Sequence, residues 1–307
     1  MKILIVGAGS TGGYFGARLT QAGRDVTFLV RPARAAALRE AGLQVLSPRG
    51  NFSVVPKLVL ASEIDKPFDI VLVTVKAFGL PGAIEDFAAA VGPETMILPV
   101  LNGMKHVDDL QARFGPERVV GGVCRVSTTL DAQGRIVHLA PLHELVYGEL
   151  DGRSTARIEA LHAFMSDAGF DASLSTHIAQ DLWNKWMLLA TLGGICTLAR
   201  GNIGEIVATD GGADFVRAFL AEATAVATAA GFAPSPPALD FILSVLTAPG
   251  SPMTSSMYRD LVGGERVEAD QILGDLRARA RRAGIATPLV SAAFIQLDVY
   301  QRRRPAA

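Results

Sequence analysis

The sequence predicts an α/β domain built on a mostly parallel sheet, followed by an all-helical domain. Three observations predict it. In the first half, short apolar runs alternate with helix-like segments, the pattern of strand–helix–strand units. From about Thr176 onward, long stretches with helical period take over. The length, 307 residues, exceeds one average domain without reaching three, so two separate cores are the natural division. The expected domains are residues 1–176 and residues 177–307.

Strands of the first domain are expected over residues 2–6, 25–30, 70–75 and 96–101, with a further one over 119–127. Between the first two, residues 11–21 have helical spacing and stop at Ala22-Gly23, since glycine commonly ends helices. Residues 135–139 and 145–149 alternate like antiparallel strands that finish a mostly parallel sheet. Residues 155–168 form the last helix of this domain. In the second domain, helices are expected over 180–199, 213–230, 238–246 and 267–283, separated in part by the Pro-rich break 233–237 and the loop 248–252.

Composition narrows the function. Half of the residues are apolar and 19% are charged, which excludes a disordered charged chain. A formal net charge of -1 leaves no electrostatic footprint for nucleic acid or for an anionic membrane. The apolar run after Lys2 stops at Gly7 and is too short for a secretion signal. Residues 186–199, the longest apolar stretch, fall below the roughly 18 to 20 residues of a membrane span. Cys124 and Cys196 are far apart and lack metal or redox spacing, so they read as small buried hydrophobes in a reducing, cytoplasmic compartment. The five histidines have no helical i,i+3 or i,i+4 pair, so no metal site is expected. Small molecules are the expected partners.

Gly7-Ala8-Gly9-Ser10-Thr11-Gly12 matches G-x-G-x-x-G directly after a strand and at the start of a helix. In that context the first Gly permits the tight turn, the second lets backbone approach a pyrophosphate, and the third allows close helix–strand packing. A Rossmann-type dinucleotide site follows, formed by Gly7, Gly9, Ser10, Thr11 and Gly12. The second strand ends in Val30-Arg31-Pro32-Ala33-Arg34, with two guanidiniums and no carboxylate. Arg31 and Arg34 suit a ribose 2′-phosphate, so NADP is expected rather than NAD. The plainer alternative is a solvated surface pair.

Four further segments resemble the ketopantoate (2-dehydropantoate) reductase family, and the likeness runs through essentially the whole chain. Val73-Thr74-Val75-Lys76-Ala77 and Leu101-Asn102-Gly103-Met104 each end an expected strand, at the sheet edge where α/β proteins bind ligands. The resemblance implies that Lys76 and Asn102 lie beside the nicotinamide and its ribose. Asp181-Leu182-Trp183-Asn184-Lys185-Trp186 is similar to the family's E-L-W-x-K signature, whose lysine is the general acid. Reduction of a carbonyl needs such a group, because the developing alkoxide must receive a proton. A surface i,i+4 pair of Asp181 with Lys185 is the competing reading. Thr254-Ser255-Ser256-Met257 with Glu268 downstream is similar to the family's S-S-M segment and glutamate. By that likeness Ser256 binds the substrate carboxylate, and Glu268 contacts the lysine or the cofactor ribose. A helix N-cap at Ser255-Ser256 is compatible with this role.

The resemblance thus implies NADPH-dependent reduction of a 2-oxo acid in an interdomain cleft, with Lys185 and Glu268 catalytic. Lys185, Ser256, Asn102, Leu189 and Gly193 would line the substrate. The chain departs from the best-known family members where asparagines stand four and eight residues after the lysine and before a G-E-L segment. Those places read Leu189, Gly193 and Ile203. A pocket without those amides is expected to take a more apolar 2-oxo acid, or to hold ketopantoate through other residues. Competing readings are a two-domain dehydrogenase of the 3-hydroxyacid or 6-phosphogluconate type, and a protein that senses NADPH without turnover. Leu289, Val290, Phe294 and Leu297 suit internal packing or a homodimer, with a slight preference for the dimer.

Overall fold

The computed structural model describes residues 1–304; residues 305–307, the last of the expected helical domain, lie outside the described residues. The chain divides into two compact units. One holds Met1–Leu101 with His106–Ala179, and the other holds Asn102–Lys105 with the chain from Gln180 onward.

The first unit runs β1 (Lys2–Val6), α1 (Ser10–Gln21), β2 (Asp25–Leu29), α2 (Pro32–Ala41), β3 (Leu43–Leu46), β4 (Phe52–Val54), β5 (Lys57–Val59), β6 (Ile70–Val73), α3 (Leu80–Phe87), β7 (Met96–Pro99), α4 (Lys105–Phe114), β8 (Gly121–Leu130), β9 (Ile136–Gly148), α5 (Ala156–Met165) and β10 (Asp171–Leu174). Five parallel strands in the order β5-β2-β1-β6-β7 form its main sheet. That is the Rossmann-type half sheet, in which the order reverses beside β1. Ile3, Leu4, Ile5 and all of β6 are fully buried. Covered on both faces, such strands read as continuous apolar runs, which is why they are plain in the sequence.

The antiparallel strands expected to extend this sheet belong instead to a second one, ordered β10-β9-β3-β4 with β8 paired to β9. The two segments expected at 135–139 and 145–149 are parts of one 13-residue strand, β9. Val126 pairs with His143 but Thr128 pairs with His138, so residues 139–142 bulge out opposite the single Ser127. Pro141, which cannot donate to a ladder, sits in that bulge, and there it resembles a turn. Tyr14 on α1 reaches this second sheet, where its hydroxyl lies 2.6 Å from His143 Nδ1 and its ring 4.6 Å from that of His138. At the end of β9, buried Glu149 accepts from Arg157 Nε at 2.7 Å and from Thr155 Oγ1 at 2.6 Å.

The second unit is helical: α6 (Ile178–Ala199, whose first two residues belong to the first unit), α7 (Ile203–Val207), α8 (Gly212–Ala229), α9 (Pro236–Leu246), α10 (Ser256–Val262), α11 (Asp275–Arg282) and α12 (Pro288–Arg303). From Ala190 to Thr197, α6 is buried all round, as expected of a central helix. The N-terminus of α12 is capped from α8, since the Glu222 carboxylate accepts the N–H groups of Leu289 and Val290 at 2.9 Å each. Val290 and Leu297 are fully buried inside the chain, which removes them from any dimer surface. The helix expected over 267–283 opens instead with a π-helical turn, Asp270–Gly274, and becomes α-helical only at Asp275. Among the described residues, no helix is long and apolar enough to cross a membrane.

Candidate active site

At the C-terminal end of β1 the chain turns through Gly7, whose φ of +96° only glycine adopts without strain. Gly9 precedes α1 with an ordinary extended backbone, is exposed, and would place an added Cβ within 4 Å of nothing. Gly12 is the opposite case: a Cβ there would come within 2.1 Å of Thr74 Oγ1 and 2.4 Å of the Gly7 carbonyl. The Thr74 hydroxyl holds this corner by donating to the Val6 and Gly7 carbonyls at 2.9 and 3.2 Å. Ser10 and Thr11 form the first turn of the 12-residue α1 and are half-buried. Backbone N–H groups and the positive end of a helix dipole thus border an open, Cβ-free surface. These residues fit the diphosphate of a dinucleotide.

The two arginines after β2 differ. Arg34 donates from Nε to the Ala8 carbonyl and from Nη2 to the Gly134 carbonyl, both at 3.2 Å, and so ties the glycine loop to the turn between β8 and β9. Burial lowers its pKa, although a guanidinium remains charged at neutral pH. Arg31 is exposed at the N-cap of α2. Lys76 follows β6, the neighbour of β1, and is exposed just before the short 3-10 turn Ala77–Gly79. Gly7, Gly9, Ser10, Thr11, Gly12, Arg31, Arg34 and Lys76 therefore share one edge of the main sheet.

In the second unit, Asp181, Asn184, Lys185, Leu188 and Leu189 occupy one half-buried face of α6, three or four residues apart, while Trp183, Trp186 and Ala190 are buried. Lys185 is followed one turn later on that face by Leu189. Gly193 is buried, and the side on which a side chain would project is covered by Met257, whose methyl would lie 2.5 Å from an added Cβ. Ile203 lies in the core at 0% exposure.

Ser255, not Ser256, is the N-cap of α10, and its hydroxyl accepts the Tyr258 N–H at 2.9 Å. Ser256 is the first helical residue and is exposed. The S-S-M segment packs on α6 through Met257 and through the Ser255 N–H, which points at the Cys196 sulfur. Burial pushes the Cys196 thiol up to about 11, against the opposing effect of that N–H, so this cysteine is a neutral packing residue.

Glu268 is half-buried, and its carbonyl accepts the Ile272 N–H at 3.1 Å. Asn102 is half-buried beside Gly103, whose φ is +84° and whose Cβ would meet the Gln271 carbonyl at 2.7 Å. Trp186 Nε1 donates to the Ile272 carbonyl at 2.9 Å. Lys185, Glu268 and Asn102 thus each sit beside or within a segment that abuts the same turn. Gln271, Met257, Thr74 and Trp186 were not singled out from the sequence. Gln271 carries no local signal, because it follows Asp270 in a polar stretch that begins at Glu268, and the others depend on distant partners. Among the described residues, no three His, Cys, Asp or Glu side chains cluster to hold a metal ion.

Comparison with known proteins agrees with this architecture. Residues 3–152 match the family model described as ketopantoate reductase PanE/ApbA, and residues 177–301 match its C-terminal counterpart. The chain is 37% identical to an uncharacterized oxidoreductase, YkpB, of Bacillus subtilis, covering 99% of this chain and 100% of that one. A crystal structure of 2-dehydropantoate 2-reductase from Geobacter metallireducens is 32% identical with a TM-score of 0.87, covering 97% and 99% of the two chains. A ternary structure of D-mandelate dehydrogenase with NADH and anilino(oxo)acetate shares the fold, with 24% identity, a TM-score of 0.87 and 98% of each chain covered. The matched models span both units, and the chain belongs to the ketopantoate reductase PanE/ApbA family of pyridine nucleotide-dependent oxidoreductases.

Proposed function

We propose that this protein uses NADPH to reduce the keto group of a small 2-oxo acid to the 2-hydroxy acid. The observation that carries the reading is Lys185, an ammonium on a half-buried helix face whose next turn is leucine. The glycine loop from Gly7 to Gly12 would hold the dinucleotide, which when bound would supply the hydride. The Lys185 ammonium stabilises the charge that develops on the carbonyl oxygen and donates the proton that completes the alcohol. Glu268 keeps Lys185 protonated and oriented, or holds the cofactor ribose. The Ser256 hydroxyl donates to the substrate carboxylate, while Lys76 and Asn102 adjoin the nicotinamide and its ribose.

Arg31 supports the preference for NADPH. It is exposed at the end of β2 with no carboxylate in that turn, whereas Arg34 spends donors on the glycine loop. Leu189, one turn after Lys185 on the same half-buried helix face, offers hydrocarbon beside the ammonium, which favours an apolar 2-oxo acid over a hydroxylated one.

The test is NADPH oxidation with a panel of 2-oxo acids, including ketopantoate and its analogue without the hydroxyl, in the native protein and in Lys185→Ala. Lysine-dependent turnover, with kcat/KM for the apolar members at least equal to that for ketopantoate, is the expected result. Strong preference for ketopantoate would sink the apolar assignment. Tight NADPH binding with no turnover of any member would sink the reductase reading.

A further inference from the structure

The π-helical turn Asp270–Gly274 sits where three segments meet. An inserted residue widens a helix and takes a carbonyl out of the regular i→i-4 ladder, and such bulges recur at functional sites. Here the Asp275 N–H reaches back five residues to the Asp270 carbonyl, and the buried Trp186 indole donates to the Ile272 carbonyl at 2.9 Å. Trp186 itself is clamped: the Arg279 guanidinium lies 5.5 Å from its ring centre and donates to Asp275 at 3.0 Å, and Trp183 stands 4.9 Å away. On the other side, the Asn102-Gly103 segment abuts the Gln271 carbonyl, which tolerates no side chain at residue 103.

We infer that this turn, held by the Trp186 indole, is a positioning device that sets Glu268 and Asn102 relative to Lys185. The inference rests on the reductase reading for the roles of those three residues and goes beyond it in assigning a task to Trp186 and the turn. Lys185 is joined to Trp186 by a peptide bond, and Glu268 is tied to Ile272 through its own carbonyl. The indole N–H therefore links the helix that carries the ammonium to the segment that carries the carboxylate. An extra residue in a helix turns whatever precedes it by about 100°, so the direction of Glu268 depends on this turn remaining π-helical.

Trp186→Phe keeps an aromatic ring beneath Arg279 and removes the donor. Small misplacements of catalytic groups cost up to about a hundredfold in rate, so kcat is expected to fall by roughly 10- to 100-fold. The alkaline limb of the kcat–pH profile is expected to move to lower pH, because Lys185 loses part of its carboxylate support. Amide hydrogen exchange over residues 270–276 is expected to accelerate in the variant, a readout independent of turnover. Gly103→Ala, which presses on the same turn from the opposite side, is expected to give the same signature. An unchanged kcat and pH profile in Trp186→Phe, with or without a lower melting temperature, would overturn the inference and leave Trp186 a packing residue. If Lys185→Ala loses no activity, the reductase reading fails instead, while the exchange measurement still reports whether the indole holds the turn.

Discussion

Gly9 and Gly12 lie three residues apart in one motif, yet the structure predicts opposite consequences for adding a methyl group to each. At Gly9 no protein atom lies within 4 Å of the new Cβ, and the backbone, with φ of -80° and ψ of -164°, suits alanine. The lost N-cap preference, roughly 0.5 to 1 kcal/mol, is offset by a gain of about 0.4 to 1 kcal/mol from the reduced entropy of the unfolded chain, so the net change is about zero. At Gly12 the new Cβ stands 2.4 Å from the Gly7 carbonyl and must open by about 1 Å to reach the ~3.5 Å of ordinary contact. It also displaces the Thr74 hydroxyl from its two acceptors. Overpacking of this kind costs about 1 to 3 kcal/mol, and the disturbed hydrogen bonds about 1 kcal/mol more. At roughly 2 to 4 °C per kcal/mol, Gly12→Ala should melt about 5 to 15 °C lower, and Gly9→Ala within about 2 °C of the native protein. NADPH titration of the folded variants then separates packing from ligand approach. Gly9→Ala should bind at least tenfold more weakly, about 1.4 kcal/mol, because its methyl enters the surface that meets the diphosphate. Native affinity in Gly9→Ala would refute the placement of the diphosphate, and native stability in Gly12→Ala would refute the packing argument.

Other outcomes follow from the same geometry. Lys185→Ala should lower kcat by roughly 10² to 10⁴, the worth of a general acid, with little change in NADPH affinity; full activity would remove it from the mechanism. Arg31→Ala should weaken NADPH by about ten- to a hundredfold, given 1.5 to 3 kcal/mol for a charge-assisted hydrogen bond, and leave NADH nearly unaffected; equal losses in parallel titrations would contradict a 2′-phosphate contact. Glu222→Ala deprives the Leu289 and Val290 N–H groups of their acceptor and should destabilise the protein by about 1 to 3 kcal/mol in urea unfolding, whereas an unchanged midpoint would show that water replaces the cap. His138 and His143 are held below their usual 6.5, chiefly by burial, among Tyr14, Ser47, Arg18, Arg49 and Asp171. The unfolded chain therefore binds more protons between the folded values and 6.5, so stability should fall as pH drops below about 6.5. Melting temperatures should show that decline in the native protein and less of it in His143→Gln; identical slopes would exclude His143 as a source.

The fold class was legible because its signals are local. The β1–loop–α1 corner needs only a buried apolar run, three spaced glycines and a helix start, all within Lys2–Gln21. Strands buried on both faces announce themselves the same way, and so does the long central helix carrying Lys185. What the sequence left undetermined rests on pairings between distant residues. Nothing near Pro141 tells that the chain continues as one strand, because the partner that accommodates the bulge is Ser127 on β8. Arg31 and Arg34 look alike until the Gly134 turn, 100 residues away, takes up one of them. Gly193 reads as a place where an amide is missing, and the sequence does not tell that the Met257 methyl lies on it. The π turn is the clearest case: its five-residue step breaks the helical period, and the indole that holds it lies 86 residues earlier in the chain. Local propensity and periodicity determined which elements form; which side chains face each other was decided by tertiary packing, where the energy of a buried hydrogen bond or a close contact depends on both partners being present.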